Sequence, residues 1–270
     1  MIRSVINHTI LLAGLAFLLV PIALIFFSST HDTSTLTRQG LQLFPGSSAV
    51  QNYHDILFLE AGFADGITTL SMLKNSFIVG FGVAFLTTLF SLLSAFGIVY
   101  FRHQWSGFLF WLIFATLLFP LESRFITTFK VTTDLGLINT HMGIILPTLA
   151  AALGTFFFRQ FFLTLPEEYA EAAILDGAGP WKFFKDFILP LSWARAGAVF
   201  VVSFMIGWNQ YLWPVMISTD ESMYTLIRGI QFVGQETGSG MAFVIISILP
   251  PFLMILGFQR WFFNDLSGGQ

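Results

Sequence analysis

Hydrophobic residues in this chain occur in long unbroken runs, and charged residues mark where the runs end. Six long intervals, each of 19 residues or more, contain no charge: between Arg3 and Asp32, Lys74 and Arg102, Arg102 and Glu122, Asp134 and Arg159, Arg195 and Asp220, and Glu236 and Arg260. Each leaves about 19 or more mostly apolar residues, enough to cross a hydrocarbon core of about 30 Å as an α-helix. The runs lack the alternation of barrel strands, and a backbone in lipid must satisfy its polar groups internally. Helical spans are therefore expected near 8–28, 76–101, 107–121, 139–161, 196–217 and 241–262. The first apolar run, Thr9 to Phe27, exceeds the roughly 7–15 residues of a signal core, so it is expected to stay as an uncleaved span. Pro250-Pro251 predicts a kink in the sixth.

The polar segments between the spans differ in kind. Residues 29–75, 122–138 and 218–240 are loops rich in small and charged residues, whereas 162–195 is amphipathic and helical in pattern. Thr164 and Glu167 have capping-box spacing, Pro166 suits a first turn, and acids at 167, 168 and 171 suit a helix N-terminus. Gly177, Gly179 and Pro180 are expected to stop that helix and open a second, carrying Phe183, Phe184, Phe187 and Ile188 and ending at Pro190. The expected element is a helix–turn–helix. Ala170, Ala172 and Ala173 would let another protein's surface come close, with Glu171 and Asp176 offering charge. The bland alternative is a hairpin that lies against the bilayer.

Composition narrows the class. Charged residues make up 10% and hydrophobic residues 55%, against about 25% charged in a soluble domain. Both a water-soluble globule and a disordered chain are excluded. With 34 Phe, the chain reads as an integral membrane protein. The absence of Cys excludes disulfides, thiolate metal sites and a Cys nucleophile. A net charge of −3 gives no basic field for nucleic acid. A membrane-embedded enzyme would need its histidines as ligands, but His8, His31, His54, His103 and His141 show no HExxH spacing. A channel would need a ring of carbonyls or like charges, which nothing in the sequence suggests. Each of the lysines follows Leu, Phe or Trp rather than the Gly of a P-loop, so any nucleotide would be hydrolysed on another chain. With both termini inside, Lys and Arg number seven on the cytoplasmic side and five outside, a slight positive-inside bias.

Within the fifth expected span, Trp208, Asn209, Gln210 and Tyr211 could line a pathway, join helices by hydrogen bonds, or anchor at the interface. Arg124 follows the third span, near Glu122, as a structural pair or at a cavity mouth.

The stretch Glu171-Ala172-Ala173, then Asp176-Gly177-Ala178, then Leu189-Pro190 resembles the EAA motif of permease subunits of binding-protein-dependent ABC importers. The flanking Phe158-Arg159-Gln160-Phe161-Phe162 and Trp208-Asn209-Gln210-Tyr211-Leu212-Trp213-Pro214 are similar to the MalG-like, carbohydrate-uptake branch. Phe187 stands where the pattern often has Ile. The resemblance implies an all-α polytopic fold, a single transmembrane domain over 1–270, six spans and a cytoplasmic coupling loop at 162–195 between the fourth and fifth. Glu171, Ala172, Ala173, Asp176, Gly177, Ala178 and Pro190 would form the coupling surface, Glu171 against a basic group and Gly177 permitting the turn. The implied partners are a second, related permease subunit, two ATPase subunits that carry ATP and magnesium, and an extracytoplasmic binding protein facing 29–75 and 218–240. No cofactor is implied on this chain, and the location is a bacterial inner membrane. The implied cargo is glycerol 3-phosphate or a glycerophosphodiester, with maltose or another sugar as the alternative. Trp208, Asn209, Tyr211 and Arg124 are the pathway candidates, Arg124 as a bidentate phosphate donor.

Overall fold

A computed structural model of the chain describes residues 2–59, 67–101, 103–119, 121–149, 151–234 and 237–267, and the regular structure among them is entirely helical. The first span is α1, Ile2–Ser28. Two short helices follow, α2 (Thr33–Gln39) and α3 (Ala49–Phe58). Then comes α4, Thr69–Tyr100, whose 32 residues reach about 48 Å at 1.5 Å per residue, well beyond the lipid core. The third apolar run gives only α5 (Ser106–Ala115) and a 3₁₀ turn, Thr116–Leu118. Phe119 is already extended, at φ −97° and ψ 104°, as a residue before proline must be.

After α6 (Phe125–Asp134), the expected fourth span is divided into α7 (His141–Ile145), a 3₁₀ turn Leu146–Thr148, and α8 (Ala151–Phe162). The two halves are bent by 49°. Pro147 lies between them, and its ring and missing donor oppose a straight α-helix through that point.

Next come α9 (Glu168–Leu175), α10 (Pro180–Phe183) and α11 (Leu189–Trp208). Contrary to the expectation for Pro190, the second helix of the hairpin does not end there. A π-helical turn, Phe184–Ile188, joins α10 to α11 in one 29-residue helix, Pro180–Trp208. The wider turn makes room for the Pro190 ring and leaves no i→i−4 bond waiting for its absent N–H. The expected span 196–217 is instead interrupted at 209–211 before α12, Leu212–Ile217. Pro214 accounts for the break, because in a continuous α-helix its ring would collide with the carbonyl of Gln210. The chain closes with α13 (Leu226–Gly229) and α14 (Gly238–Ser267), which runs through Pro250-Pro251. Four described helices are long and apolar enough to cross a membrane, and the bent α7–α8 pair makes a fifth.

The chain folds as two compact units, Met1–Asn75 with Asp220–Pro250, and Ser76–Thr219 with Pro251–Gln270. In the first, the Asn75 amide donates to the carbonyls of Ser222 at 2.7 Å and Tyr224 at 3.0 Å. Gly229 lets α13 approach α4, since a Cβ there would lie 2.5 Å from the Met72 sulfur. In the second, one cluster joins Val79 and Val83 to Ile144, Ile145, Trp213 and Ile217. The Trp213 indole donates to the Gly143 carbonyl at 3.0 Å. Small residues bring the helices together: a Cβ on Gly80 would lie 2.8 Å from the Phe204 ring, and one on Gly207 2.9 Å from Val83. Close approach through small residues is how helices pack where apolar burial gives no drive.

Candidate coupling hairpin and pathway residues

The hairpin is built on α8. Its last turn closes with Thr164, whose N–H and hydroxyl both donate to the Phe161 carbonyl, at 2.9 and 2.7 Å. Thr164 therefore terminates α8, and the expected capping box does not form. Glu167 occupies the N-cap of α9 without a side-chain capping bond. At the other end, Ala178 N–H donates to the Ala173 carbonyl at 2.9 Å and Gly177 N–H to the Ile174 carbonyl at 3.0 Å. This is a Schellman motif, and it needs a left-handed residue at Gly177, whose φ is 69°. A Cβ at Gly177 would meet nothing within 4 Å, so the demand for glycine is purely conformational. Pro180 then sits at the start of α10, where its missing donor is harmless.

The alanines of the motif face two ways. Ala173 is 1% exposed and belongs to a cluster with Leu92, Ala95 and Phe96 of α4, Phe158 and Phe162 of α8, and Phe183, Phe184 and Ile188. Ala170 and Ala178 pack at its margin and help line a small cavity of about 160 Å³ with Phe96, Tyr100 and Phe183. Their small size thus lets α9 approach this chain's own aromatic wall, while Ala172 alone of the three motif alanines is fully turned outward. The exposed face carries Glu168, Glu171, Asp176 and Gly177 around two large apolar side chains, Ile174 at 72% and Leu175 at 88% exposure. Acids ringing a bare apolar knob suit a partner surface with a basic rim. Sequence reading missed Ile174 and Leu175, although two large apolar residues beside a helix-ending glycine were visible. Pro190 is exposed within the unbroken helix, and Phe187 is half-buried, 5.7 Å from the Phe183 ring.

The pathway candidates are spread over different environments. Trp208 is 1% exposed and packs against Phe77 and Phe204, with ring centroids at 5.1 and 5.5 Å. Asn209 is exposed, closes α11 by donating from its amide to the Met205 carbonyl at 2.9 Å, and lies on an open groove with Val201, Val202, Ile206, Ile255 and Gln259. Tyr211 is 40% exposed. Between them, Gln210 buries both amide atoms with no hydrogen-bond partner among the described residues. Arg124 is exposed at the end of a 3₁₀ turn, Leu121–Arg124. The side chain of Glu122, its expected partner, lies outside the described residues.

A further residue, Asn139, was not singled out from sequence. It has φ 56°, its N–H donates to the Ile217 carbonyl at 3.1 Å, and its side chain exchanges bonds with Thr219 N–H (2.7 Å) and hydroxyl (2.9 Å). It ties the start of the fourth span to the end of the fifth. The turn glycine Gly136 and the tolerance of Asn for left-handed backbone were the available signals. Among the described residues, no group of three or more His, Asp or Glu could hold a metal ion.

Comparison with known proteins places this architecture. The family described as "Binding-protein-dependent transport system inner membrane component" matches residues 61–267. The sn-glycerol-3-phosphate transport system permease protein UgpE of Brucella melitensis biotype 1 is 39% identical over 271 residues, covering 98% of this chain and 96% of the relative. The protein of the same name from Yersinia pestis bv. Antiqua (strain Antiqua) is 40% identical over 270 residues, covering 97% and 95%. In structure, the chain is similar to one from a bacterial ABC transporter involved in the import of the acidic polysaccharide alginate. The TM-score is 0.83 at 20% identity, over 97% of this chain and 96% of that one.

Proposed function

The chain belongs to the inner-membrane components of binding-protein-dependent transport systems, and on that premise we propose that its cargo is sn-glycerol 3-phosphate or a related glycerophosphodiester. It is a multi-pass membrane permease subunit of an ABC importer and a transport protein, not an enzyme. The observation that carries the cargo is identity of 39–40%, over nearly the whole chain, to relatives named as sn-glycerol-3-phosphate permeases.

The subunit works beside a second permease subunit, two ATPases that hold ATP and magnesium, and an extracytoplasmic binding protein. In this reading it forms a single transmembrane domain with six spans in a bacterial inner membrane, both termini and the 162–195 hairpin being cytoplasmic. The excess of Lys and Arg on that side supports the orientation. Glu171, Ala172, Asp176 and Gly177, with Ile174 and Leu175, seat in a cleft of an ATPase. Ala173 and Ala178 fix the angle of α9, and Pro190 lies on the helix that leads away.

ATP binds the closed ATPase pair in preference to the open one, so it shifts the equilibrium of whatever the ATPases hold. The hairpin is positioned to pass that motion on, because its aromatic cluster locks it to α4 and α8 and its second helix continues without a break to Trp208. Asn209, Tyr211 and Arg124 line the route in alternating access, with Trp208 buried against Phe77 and Phe204 beside Asn209 in the chain, and Arg124 offers the phosphate a planar pair of donors. The test is uptake by the reconstituted importer. ATP-dependent accumulation of glycerol 3-phosphate, reduced by Arg124→Gln and partly restored by Arg124→Lys, is the expected result. Uptake of an unphosphorylated sugar with none of glycerol 3-phosphate would overturn the cargo.

A further inference from the structure

The end of α1 is the site of an unusual chain reversal. Beyond Ser28 the backbone turns into α2, where the Asp32 carboxylate accepts from Thr35 N–H at 3.0 Å and from the hydroxyls of Ser34 and Thr35. This short helix is polar, exposed except for Leu36 and Thr35, and ends with Arg38 in its last turn. Gly40, at φ 75°, then sends the chain back. The returning segment is apolar: Leu41, Leu43 and Phe44 are 51, 61 and 78% exposed.

Hydrogen bonds fix the height of that return. Gln42 N–H donates to Ser28 Oγ at 2.9 Å, Gly46 N–H to Thr30 Oγ1 at 2.6 Å and Ser48 N–H to the Thr30 carbonyl at 2.8 Å. The Phe44 carbonyl accepts from the His31 ring at 3.0 Å. Three large apolar side chains are thus held facing outward beside the last turn of a membrane-length helix. None of that helix's apolar window is buried inside the chain.

We infer that Leu41, Leu43 and Phe44 form an interfacial anchor, seated in the headgroup–acyl boundary of the leaflet where α1 ends. Continuity names lipid as the occupant, since the patch extends the outward apolar surface of α1. No charged residue occurs between Arg38 and Asp55 to oppose insertion. The backbone makes insertion tolerable as well, because these bonds pair peptide groups that would otherwise be stripped of water. Polar α2 stands on the water side, and the apolar return stands on the lipid side. Neither the cargo nor the sidedness proposed above enters this inference.

Site-specific quenching in the assembled importer, held in lipid nanodiscs, tests it. This chain has no cysteine, so with partner cysteines removed, Leu43→Cys and Phe44→Cys can each carry a bimane, and Thr37→Cys on α2 serves as the aqueous reference. Interfacial apolar elements lie about 5–10 Å into the boundary. Bimane at 43 and 44 should therefore be quenched more by nitroxide lipids labelled near the headgroup than by those labelled near the chain terminus. It should also resist iodide, which quenches the label at 37. Iodide access at 43 and 44 equal to that at 37 would overturn the anchor. Protection from iodide without any lipid quenching would overturn it too, and would assign the patch to a protein partner.

Discussion

Two excursions leave the apolar spans and return, and they are held by different forces. The hairpin at 162–188 is held by carbon: Ala173, Phe183, Phe184 and Ile188 are buried against Leu92, Phe96, Phe158 and Phe162. The loop at 29–48 is held by hydrogen bonds from its backbone and from Asn52 to Ser28, Ser29, Thr30 and His31. Close-packed side chains transmit strain over a broad contact, so the first arrangement suits a lever moved by another subunit. Directed hydrogen bonds pair the backbone at fixed points, which suits a loop lying against lipid. Their energies differ as well. Truncating a buried Phe removes about 3–5 kcal/mol, whereas one hydrogen bond contributes about 0.5–1.5 kcal/mol net.

The sharpest way to break this comparison is Phe184→Ala. Phe184 is 4% exposed and its ring centroid lies 5.0 Å from that of Phe96. The variant should lose about 3–5 kcal/mol of stability as a cavity opens, lowering the thermal midpoint of the solubilised subunit. Cargo-stimulated ATP hydrolysis should fall with it, while basal hydrolysis persists. An unchanged midpoint would mean the hairpin is held by something other than packing.

Asn52→Ala makes the matching cut in the loop. It removes donors to the Ser29 and His31 carbonyls, at 2.8 and 2.7 Å, and should cost about 1–3 kcal/mol. Hydrogen exchange should quicken through 28–48 and stay unchanged through 168–188. Equal acceleration in both regions would show that they do not act as separately held elements.

A smaller effect separates the hairpin's hold from its contact surface. Gly177→Asp forces a left-handed turn on a residue with a Cβ, at a cost of about 1–2 kcal/mol. Glu171→Lys, on the exposed face, should change stability by no more than about 0.5 kcal/mol. Both should reduce the amount of ATPase that co-purifies. Full recovery of the ATPase with both variants would remove this face from the docking surface.

How much of this was legible depended on whether the cause was local. Charge-free intervals located the apolar helices, because the absence of charge is read one residue at a time. The helix stop at Gly177 was equally local, and the structure adds that the residue is left-handed, at φ 69°. Pro190 was not, since its effect depends on a π-helical turn that the sequence does not announce. The break at 209–211 could have been read from Pro214, four residues beyond Gln210, but the apolar run hid it. The inward turn of Ala173 and the burial of Trp208 depend on which neighbours pack against each face, and no spacing reveals that. Thr164 satisfied a capping pattern on paper, yet its hydroxyl went to the preceding helix.

The smallest expected effect concerns protons, and it again distinguishes the two regions. Asp32 is fully exposed, and hydrogen bonds from the Ser34 and Thr35 side chains, then from the Thr35 backbone, hold its carboxyl well below the usual carboxylate range. A carboxyl that binds its proton less readily in the folded state than in the unfolded chain contributes stability above its unfolded value, about 3.9. That contribution is lost as the pH falls through the lower folded value, because the proton converts an acceptor into a competing donor. Only α2 should feel the change directly, through the capping bond to Thr35. The buried core of the hairpin is made of aromatic, aliphatic and alanine side chains and contains no carboxylate. Acidification from neutral pH to about pH 3, already below the ordinary carboxylate value, should therefore begin to speed amide exchange at 33–39, measured relative to the intrinsic rate at the same pH, while exchange through 179–188 on the same scale stays level. Asp32→Ala should bring the faster exchange of α2 to neutral pH and remove its dependence on acid. If α2 in that variant still loosened on acidification as the wild type does, the titrating group would be elsewhere and the cap would not be what holds this end of the loop.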